Sequence, residues 1–371
     1  MRTIVRASIL ALAAVTLAAC GARPGGAAGG AAKVLNLYIW SDYLAPDTLS
    51  NFEKRTGIKV NVSYYDTNET LETKLLAGDS GYDVVVPTSS YFARQIEAGV
   101  YMRLDKAKLP NLKNMDPRLM ARVQEFDPGN AHGVIYMWGT DGVGYNPKMV
   151  KALMPDAPLD SWRLIFDPTV ASKLAKCGIS VLDSPADVVR AVLSYLGRDP
   201  NSQSRTDLDA AAAVLMKVRP YIRNINSSEY IQALANGDLC VALGYNGDVM
   251  QARDRAREAN NGIDVEYMVP KEGSVLWFDM LAIPKDAPHP ASAYAFINYM
   301  MDPKVIAEVS NYKRYANANA AAQAYVDAGV KANPAIYPTA AQIHDLAVQL
   351  ADNAEHTREM TRMWERFKTG R

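Results

Sequence analysis

From Lys33 onward, short apolar runs alternate with amphipathic segments closed by glycine, and this alternation restricts the chain to an α/β fold. Segments 34–40, 58–65 and 83–87 carry the β-branched and aromatic content of strands. Segments 47–55, 69–77 and 91–98 read as helices, and Gly57, Gly78 and Gly99 stand where each should stop. Strands and helices in this order imply a parallel sheet with helices on its faces.

A second unit begins near Gly139, where 139–146 reads as an extended crossover. Strand 179–182 and helices 186–196 and 208–218 follow. Asn226 and Glu229 have capping-box spacing for a short helix ending near Gly237. Strand 240–245 feeds helix 248–259, segments 265–269 and 278–284 read as a return to the first unit, and the tail from about Pro338 is helical. No repeat of solenoid period occurs. A length of 371 residues suits two domains. The expected division is 33–138 plus 262–330 for lobe 1 and 139–261 plus 331–371 for lobe 2. Two strand-like crossings between them would form a hinge, with a cleft that closes on ligand.

The first residues point to export. Arg2 and Arg6 precede a short apolar core, 7–19, as in a secretion signal. Leu17-Ala18-Ala19-Cys20 followed by Gly21 matches the lipobox of bacterial lipoproteins, in which the cysteine carries the lipid. Ordinary cleavage within 27–32 is the alternative and would give a free periplasmic protein. On the lipobox reading, 1–20 is signal peptide and 21–32 a flexible Gly/Ala tether. No apolar run reaches the roughly 18–20 residues of a membrane helix, so Cys20 is the expected membrane attachment. Cys177 and Cys240 remain, each beside a strand-like run. In an oxidising compartment an even pair reads as a disulfide; two buried free thiols are the other possibility.

Lys plus Arg and Asp plus Glu are both 40. A net charge near zero argues against nucleic acid or another polyanion as the main partner. None of the four histidines, His132, His289, His344 and His356, has a partner at metal-ligand spacing. There is no phosphate-binding loop and no G-x-S-x-G elbow, and Gly142-Val143-Gly144 lacks the rest of a dinucleotide fingerprint. No cofactor is implied. An exported two-lobed chain without a catalytic signature reads as a binder rather than an enzyme; a secreted enzyme on the same fold is the rival class.

Three aromatic–aspartate clusters stand at strand ends: Trp40-Ser41-Asp42-Tyr43, Tyr245-Asn246-Gly247-Asp248 and Trp277-Phe278-Asp279. Strand ends are where α/β sheets hold ligands. A ring beside a carboxylate suits an organic cation, because the ring covers its methylenes while the carboxylate meets its ammonium. Each cluster has a local alternative reading. Ser41-Asp42 is helix-cap chemistry, although Pro46-Asp47 already supplies a helix start nearby and leaves Asp42 spare. Asn246-Gly247 is a turn signal. Asp279 leads into a buried run, where a carboxylate needs a partner.

Residues 33–371 resemble the periplasmic polyamine-binding proteins of bacterial ABC importers, above all the putrescine-binding type. The resemblance rests on Ile39-Trp40-Ser41-Asp42-Tyr43-Leu44-Ala45-Pro46-Asp47-Thr48, Asn51-Phe52-Glu53-Lys54, Tyr82-Asp83-Val84-Val85-Val86-Pro87, Leu234-Ala235-Asn236-Gly237-Asp238 and Tyr315-Ala316-Asn317-Ala318-Asn319. It implies a type II periplasmic binding protein: two α/β lobes joined by a two-strand hinge, with the ligand in the interlobe cleft. It implies capture of putrescine or spermidine for an inner-membrane ABC permease by a monomer in the periplasm, lipid-anchored through Cys20. A sensor subunit presenting polyamine to a receptor is the alternative role.

The implied site follows position by position. Trp40 and Tyr43 would wall the alkyl chain, and Ser41, Thr88 and Ser227 would offer polar contacts. Asp42, Asp187, Asp248 and Asp279 would neutralise the amines, while Tyr245, Trp277 and Tyr315 complete an aromatic box. Cys177 and Cys240 match the family's disulfide positions. The chain departs from the putrescine pattern at four places. Asp187 stands where glutamate is usual, Tyr245 where tryptophan is common, and Thr88 where serine is. Trp277 stands where putrescine-type members often have phenylalanine and spermidine-type members tryptophan. These departures bear on ligand length.

Overall fold

The computed structural model describes residues 33–370. The expected signal peptide, the tether and the lipidation position Cys20 lie outside the described residues. Eleven strands form within them: β1 Val34–Trp40, β2 Lys59–Tyr65, β3 Val84–Val85, β4 Gly133–Tyr145, β5 Ile179–Val181, β6 Asn224–Ile225, β7 Val241–Tyr245, β8 Glu266–Met268, β9 Val275–Ala282, β10 Ala316–Asn317 and β11 Ala347–Val348. No helix among the described residues is long and apolar enough to cross a membrane.

The first sheet runs β2-β1-β3-β9-β4. Strand β1 is parallel to β2 and β3, and helices α1 Thr48–Thr56, α2 Asn68–Leu76 and α3 Ser89–Glu97 connect this part of the chain. Gly57 takes a left-handed φ of 70° and its N–H reaches back to the Glu53 carbonyl, closing α1 where the sequence predicts. Thr67 caps α2 by accepting from the Thr70 N–H. The parallel sheet expected from the strand–helix alternation forms over β1, β2 and β3, and β9 and β4 extend it with antiparallel pairs.

Strand β4 makes the fold two-lobed. All thirteen of its residues are buried. Its first half pairs with β9, from Gly133↔Ala282 to Thr140↔Leu276. Its second half, Asp141 to Tyr145, pairs with β7, and Val143 to Tyr145 also pair with β8. Beyond it lie β7, β5 and β6, with β5 parallel to both neighbours. A single strand thus belongs to both sheets. The crossover predicted at 139–146 is the second half of this longer strand.

Two strand pairings show where the chain passes between the sheets. Strand β8 joins the second sheet through β4, so the chain returns to the first sheet at β9 and not at 262. Strand β11 pairs in parallel with β9, and Gln349 N–H donates to the Leu276 carbonyl. The tail therefore crosses back over β9 before its last helix, Ala354–Thr369, packs on the second lobe. There the Trp364 indole donates to Asp183 Oδ1 at 2.7 Å, and Arg219 Nε donates to the Phe367 carbonyl at 2.8 Å. Two-residue strands such as β11 carry no periodicity, so sequence pattern does not expose them.

Cys177 and Cys240 are joined in a disulfide, with Cα atoms 5.5 Å apart. Cys240 immediately precedes β7 and Cys177 lies two residues before β5, and these strands are adjacent and in register at Ile179↔Val241. Sheet pairing itself brings the two sulfurs together.

Candidate functional site

A cavity of about 240 Å³ lies at the C-terminal ends of β1, β3 and β7, where α/β sheets leave backbone and helix starts free to meet ligands. Trp40, Ser41, Asp42, Tyr43, Thr88, Asp187, Ser227, Tyr245, Asp248, Trp277, Asp279 and Tyr315 all line it. No histidine does. Among the described residues, no group of acidic, histidine or cysteine side chains could hold a metal ion.

Three carboxylates dominate the cavity, Asp279 and Asp187 buried and Asp248 half-buried, and at least two side-chain donors hold each. Asp279, on β9, accepts from the Tyr43 phenol at 2.8 Å and the Thr88 hydroxyl at 2.7 Å. Thr88 is itself fixed by Asn68, whose amide nitrogen donates to the Thr88 oxygen at 3.1 Å and whose carbonyl oxygen accepts the Thr88 N–H at 3.2 Å. Asp248 lies in the first turn of helix Asn246–Ala259 and accepts from Tyr315 at 2.6 Å and Tyr230 at 2.8 Å. Asp187 lies in the first turn of helix Pro185–Tyr195, where the helix N-terminus favours negative charge. It accepts from Tyr245 at 2.8 Å and the Gln349 amide at 2.5 Å. An ionised carboxylate offers about four lone-pair sites, so each keeps acceptor capacity for a ligand.

Burial sets the titration of this group. It pushes the Asp279 carboxyl up to about 7 against the pull of the Thr88 and Tyr43 hydrogen bonds, and the nearby Asp187 charge adds to the rise. It pushes Asp248 up to about 6 against the Tyr315 and Tyr230 bonds. The phenols of Tyr43, Tyr245 and Tyr315 are driven well above their ordinary range, first by burial and then by the carboxylates they face. They therefore stay protonated as donors. An empty cavity of this kind holds more negative potential than it can comfortably ionise, and a bound cation relieves it.

Aromatic rings form the walls. Trp277 stands edge-to-face with Tyr245 at 5.9 Å and with Tyr315 at 5.5 Å, and Tyr315 does the same with Tyr43 at 5.5 Å. The Trp40 indole donates to the Val86 carbonyl at 2.9 Å, which holds the ring beside the cavity. Ser227 accepts from the Asp183 N–H at 3.0 Å, and Ser41 is exposed at the rim.

Asp42 differs from the other three aspartates. It adopts a left-handed φ of 54° in the turn after β1, a conformation aspartate tolerates better than most residues. Its side chain is 62% exposed, and it is not spare: one oxygen accepts from the buried Lys313 ammonium, and Arg255 stands 3.5 Å from the other. Its charge is met by protein cations.

Sequence reasoning missed Tyr230, Gln349, Lys313 and Arg255. Gln349 holds Asp187 from 162 positions away, and Tyr230 holds Asp248 from the helix that precedes β7. Lys313 ends a helix two residues before Tyr315, and nothing in its neighbourhood marks it as buried.

The chain is similar to known proteins. Residues 48–339 match the family described as bacterial extracellular solute-binding protein. The chain belongs to that family. Within it, the putrescine-binding periplasmic protein SpuD of Pseudomonas aeruginosa is 50% identical over 97% of this chain and 98% of its own length. The putrescine-binding periplasmic protein PotF of Escherichia coli is 49% identical over 91% of this chain and 92% of its own. A solved structure of a putative spermidine/putrescine ABC transporter from Listeria monocytogenes superposes with a TM-score of 0.82 at 32% identity, covering 91% of this chain and all of that one. As a solute-binding protein of the two-lobed type II fold, the chain is a binder and not an enzyme. Its cavity sits where β4 and β9 carry the chain between the lobes.

Proposed function

We propose that the cavity captures a short aliphatic polyamine, putrescine or spermidine, in the periplasm and that the loaded protein delivers it to an inner-membrane ABC permease. The observation that carries this reading is the set of three largely buried carboxylates, each held by side-chain donors, inside a box of aromatic rings. Ammonium groups meet the carboxylates and methylenes lie against the rings. The names of the relatives point to the same ligand class.

Magnitudes agree. Two ammonium groups at about 1.5–3 kcal/mol per charge-assisted bond and four methylenes at about 0.8 kcal/mol each give roughly 6–9 kcal/mol. Cation–π contacts add about 1–2 kcal/mol. Before ordering costs the sum of about 7–11 kcal/mol sets an upper limit on affinity in the micromolar to nanomolar range. A quaternary ammonium is disfavoured, since it cannot donate to carboxylates. In this reading Asp42 closes the rim with Arg255 and Lys313, and Asp187, Asp248 and Asp279 meet the amines.

Calorimetry of the mature protein against putrescine, spermidine, agmatine and γ-aminobutyrate tests the proposal. Putrescine or spermidine should bind most tightly. Preference for γ-aminobutyrate would sink the dication reading, because its carboxylate would face the aspartates. The protein acts as a monomer anchored through Cys20 on this reading, and mass spectrometry of the mature N-terminus checks the lipid.

A further inference from the structure

One buried carboxylate near the cavity has no part in the amine site as described. Asp141 lies on β4 at the point where the strand leaves the first sheet for the second, and it is 1% exposed. Neither of its carboxylate oxygens has a hydrogen-bond partner, and the indole N–H of the buried Trp277 has none either. A buried polar group left unpaired is costly, and each such group calls for an explanation.

Strand geometry places these two groups together. Trp277 is in register with Gly139, two residues before Asp141, so Gly139 and Asp141 share one face of β4. The indole lies across Gly139: a Cβ there would stand 2.5 Å from Trp277 Cζ2, on the nitrogen-bearing side of the ring system. Tyr245 is directly opposite Asp141 across the β4–β7 ladder and packs edge-to-face on Trp277. The indole N–H is near enough to favour the ionised form of Asp141 but lies outside hydrogen-bond geometry. Burial, followed by the Asp187 charge, outweighs this contact and that of Arg190 and raises the carboxyl well above the usual range. The phenols of Tyr230, Tyr245 and Tyr267 complete its titratable surroundings.

We propose that Asp141 is a positioning residue for ligand selection: it is the acceptor that orients the Trp277 indole, and through that ring it sets the amine length the cavity prefers. A modest tilt of the indole over Gly139, which it shares with the Asn246 amide oxygen, pairs the N–H with the carboxylate. Trp277 touches both Tyr245, which holds Asp187, and Tyr315, which holds Asp248. Tilting it therefore moves the partition between two of the three amine-binding carboxylates. This inference rests on the reading of the cavity as an amine site.

Nuclear magnetic resonance of the mature protein with 15N-labelled tryptophan tests it, with Trp277→Phe identifying the resonance. In the ligand-free protein the Trp277 indole proton should lie downfield. It should move upfield in Asp141→Val and stay near its original position in Asp141→Asn, whose amide oxygen still accepts. Calorimetry should show the spermidine-to-putrescine ratio of dissociation constants shifted by about fivefold in Asp141→Val, the worth of one hydrogen bond, and less in Asp141→Asn. Asp141→Ala takes the place of valine if that variant does not fold. An indole resonance that ignores Asp141→Val overturns the proposal, as does a moved resonance with an unchanged ratio. Absence of amine binding by the unsubstituted protein would instead overturn the amine reading, while the indole resonance would still report on the pair.

Discussion

Tyr43 and Asp279 are 236 positions apart in the chain, yet the Tyr43 phenol donates to Asp279 Oδ2 at 2.8 Å. The bond ties the turn after β1 to the strand that carries the chain between lobes. It also leaves Asp279 with one phenol and one threonine hydroxyl as its side-chain donors on the cavity wall. A carboxylate so placed is held by two neutral donors and has no protein cation within hydrogen-bond reach among the described residues.

Asp279→Asn and Asp248→Asn should each weaken putrescine binding by about tenfold or more, since each removes a charge-assisted hydrogen bond worth about 1.5–3 kcal/mol. Calorimetry at pH 8, where the aspartates are ionised, reads the effect. Near-normal binding by both variants would move the amine site elsewhere.

Affinity should fall with acidification. The carboxyls of Asp279 and Asp248 titrate at about 7 and about 6 in the folded protein, above the 3.8 of an exposed aspartate. Their contribution to the stability of the empty protein is therefore full below 3.8 and lost as pH rises through 6 and 7. A dication requires both ionised, so binding at acidic pH must release protons. Dissociation constants should rise by about tenfold per pH unit for each carboxylate that has to deprotonate. Titrations at pH 5 in two buffers of different ionisation heat should show proton release that vanishes at pH 8.

Removing the disulfide should destabilise the protein without altering its ligand. Cys177 and Cys240 are 63 residues apart, and closing a loop of that length is worth about 4 kcal/mol in the chain-entropy model. The double serine variant should unfold at lower urea concentration by this margin while its putrescine affinity stays close to that of the parent, because neither sulfur lines the cavity.

Gly247→Ala should cost both stability and affinity. A Cβ at this position would stand 2.5 Å from the Tyr315 ring, and overpacking of this kind costs about 1–3 kcal/mol. Tyr315 can yield only by withdrawing its phenol from Asp248. Urea unfolding and calorimetry on one preparation should show both losses; a loss of stability with intact affinity would mean that Tyr315 does not contribute to binding.

Asp42→Asn should destabilise the fold by about 1–3 kcal/mol, because the ammonium of Lys313, 1% exposed, loses its anion. Adding Lys313→Met removes the stranded charge and should recover part of the loss. A double-mutant cycle by urea unfolding measures the coupling.

The chain's own pattern foretold most of the framework. Residues 34–40 form β1 as the apolar run indicated, and Gly57 ends α1 through its left-handed turn. These are local matters, decided by side-chain alternation and backbone freedom within a few residues. The aromatic–aspartate clusters were visible for the same reason, since each is contiguous. Thr88, Asp187, Ser227 and Tyr315 stand in no such cluster, and only the family resemblance singled them out.

What sequence pattern could not supply is the pairing of elements remote in the chain. β8 lies on the second sheet, β11 brings Gln349 to Asp187, and Asp42 is claimed by Lys313 and Arg255. The sequence alone determined the alternating elements, the candidate carboxylates and rings, and the cysteine pair. Tertiary structure decided which carboxylates are held by side-chain donors inside the cavity, which one is already neutralised, and that Asp141 faces Trp277. Local pattern reports the conformation a segment prefers, whereas burial and charge balance depend on neighbours that only the folded β4 and β9 crossing brings within reach.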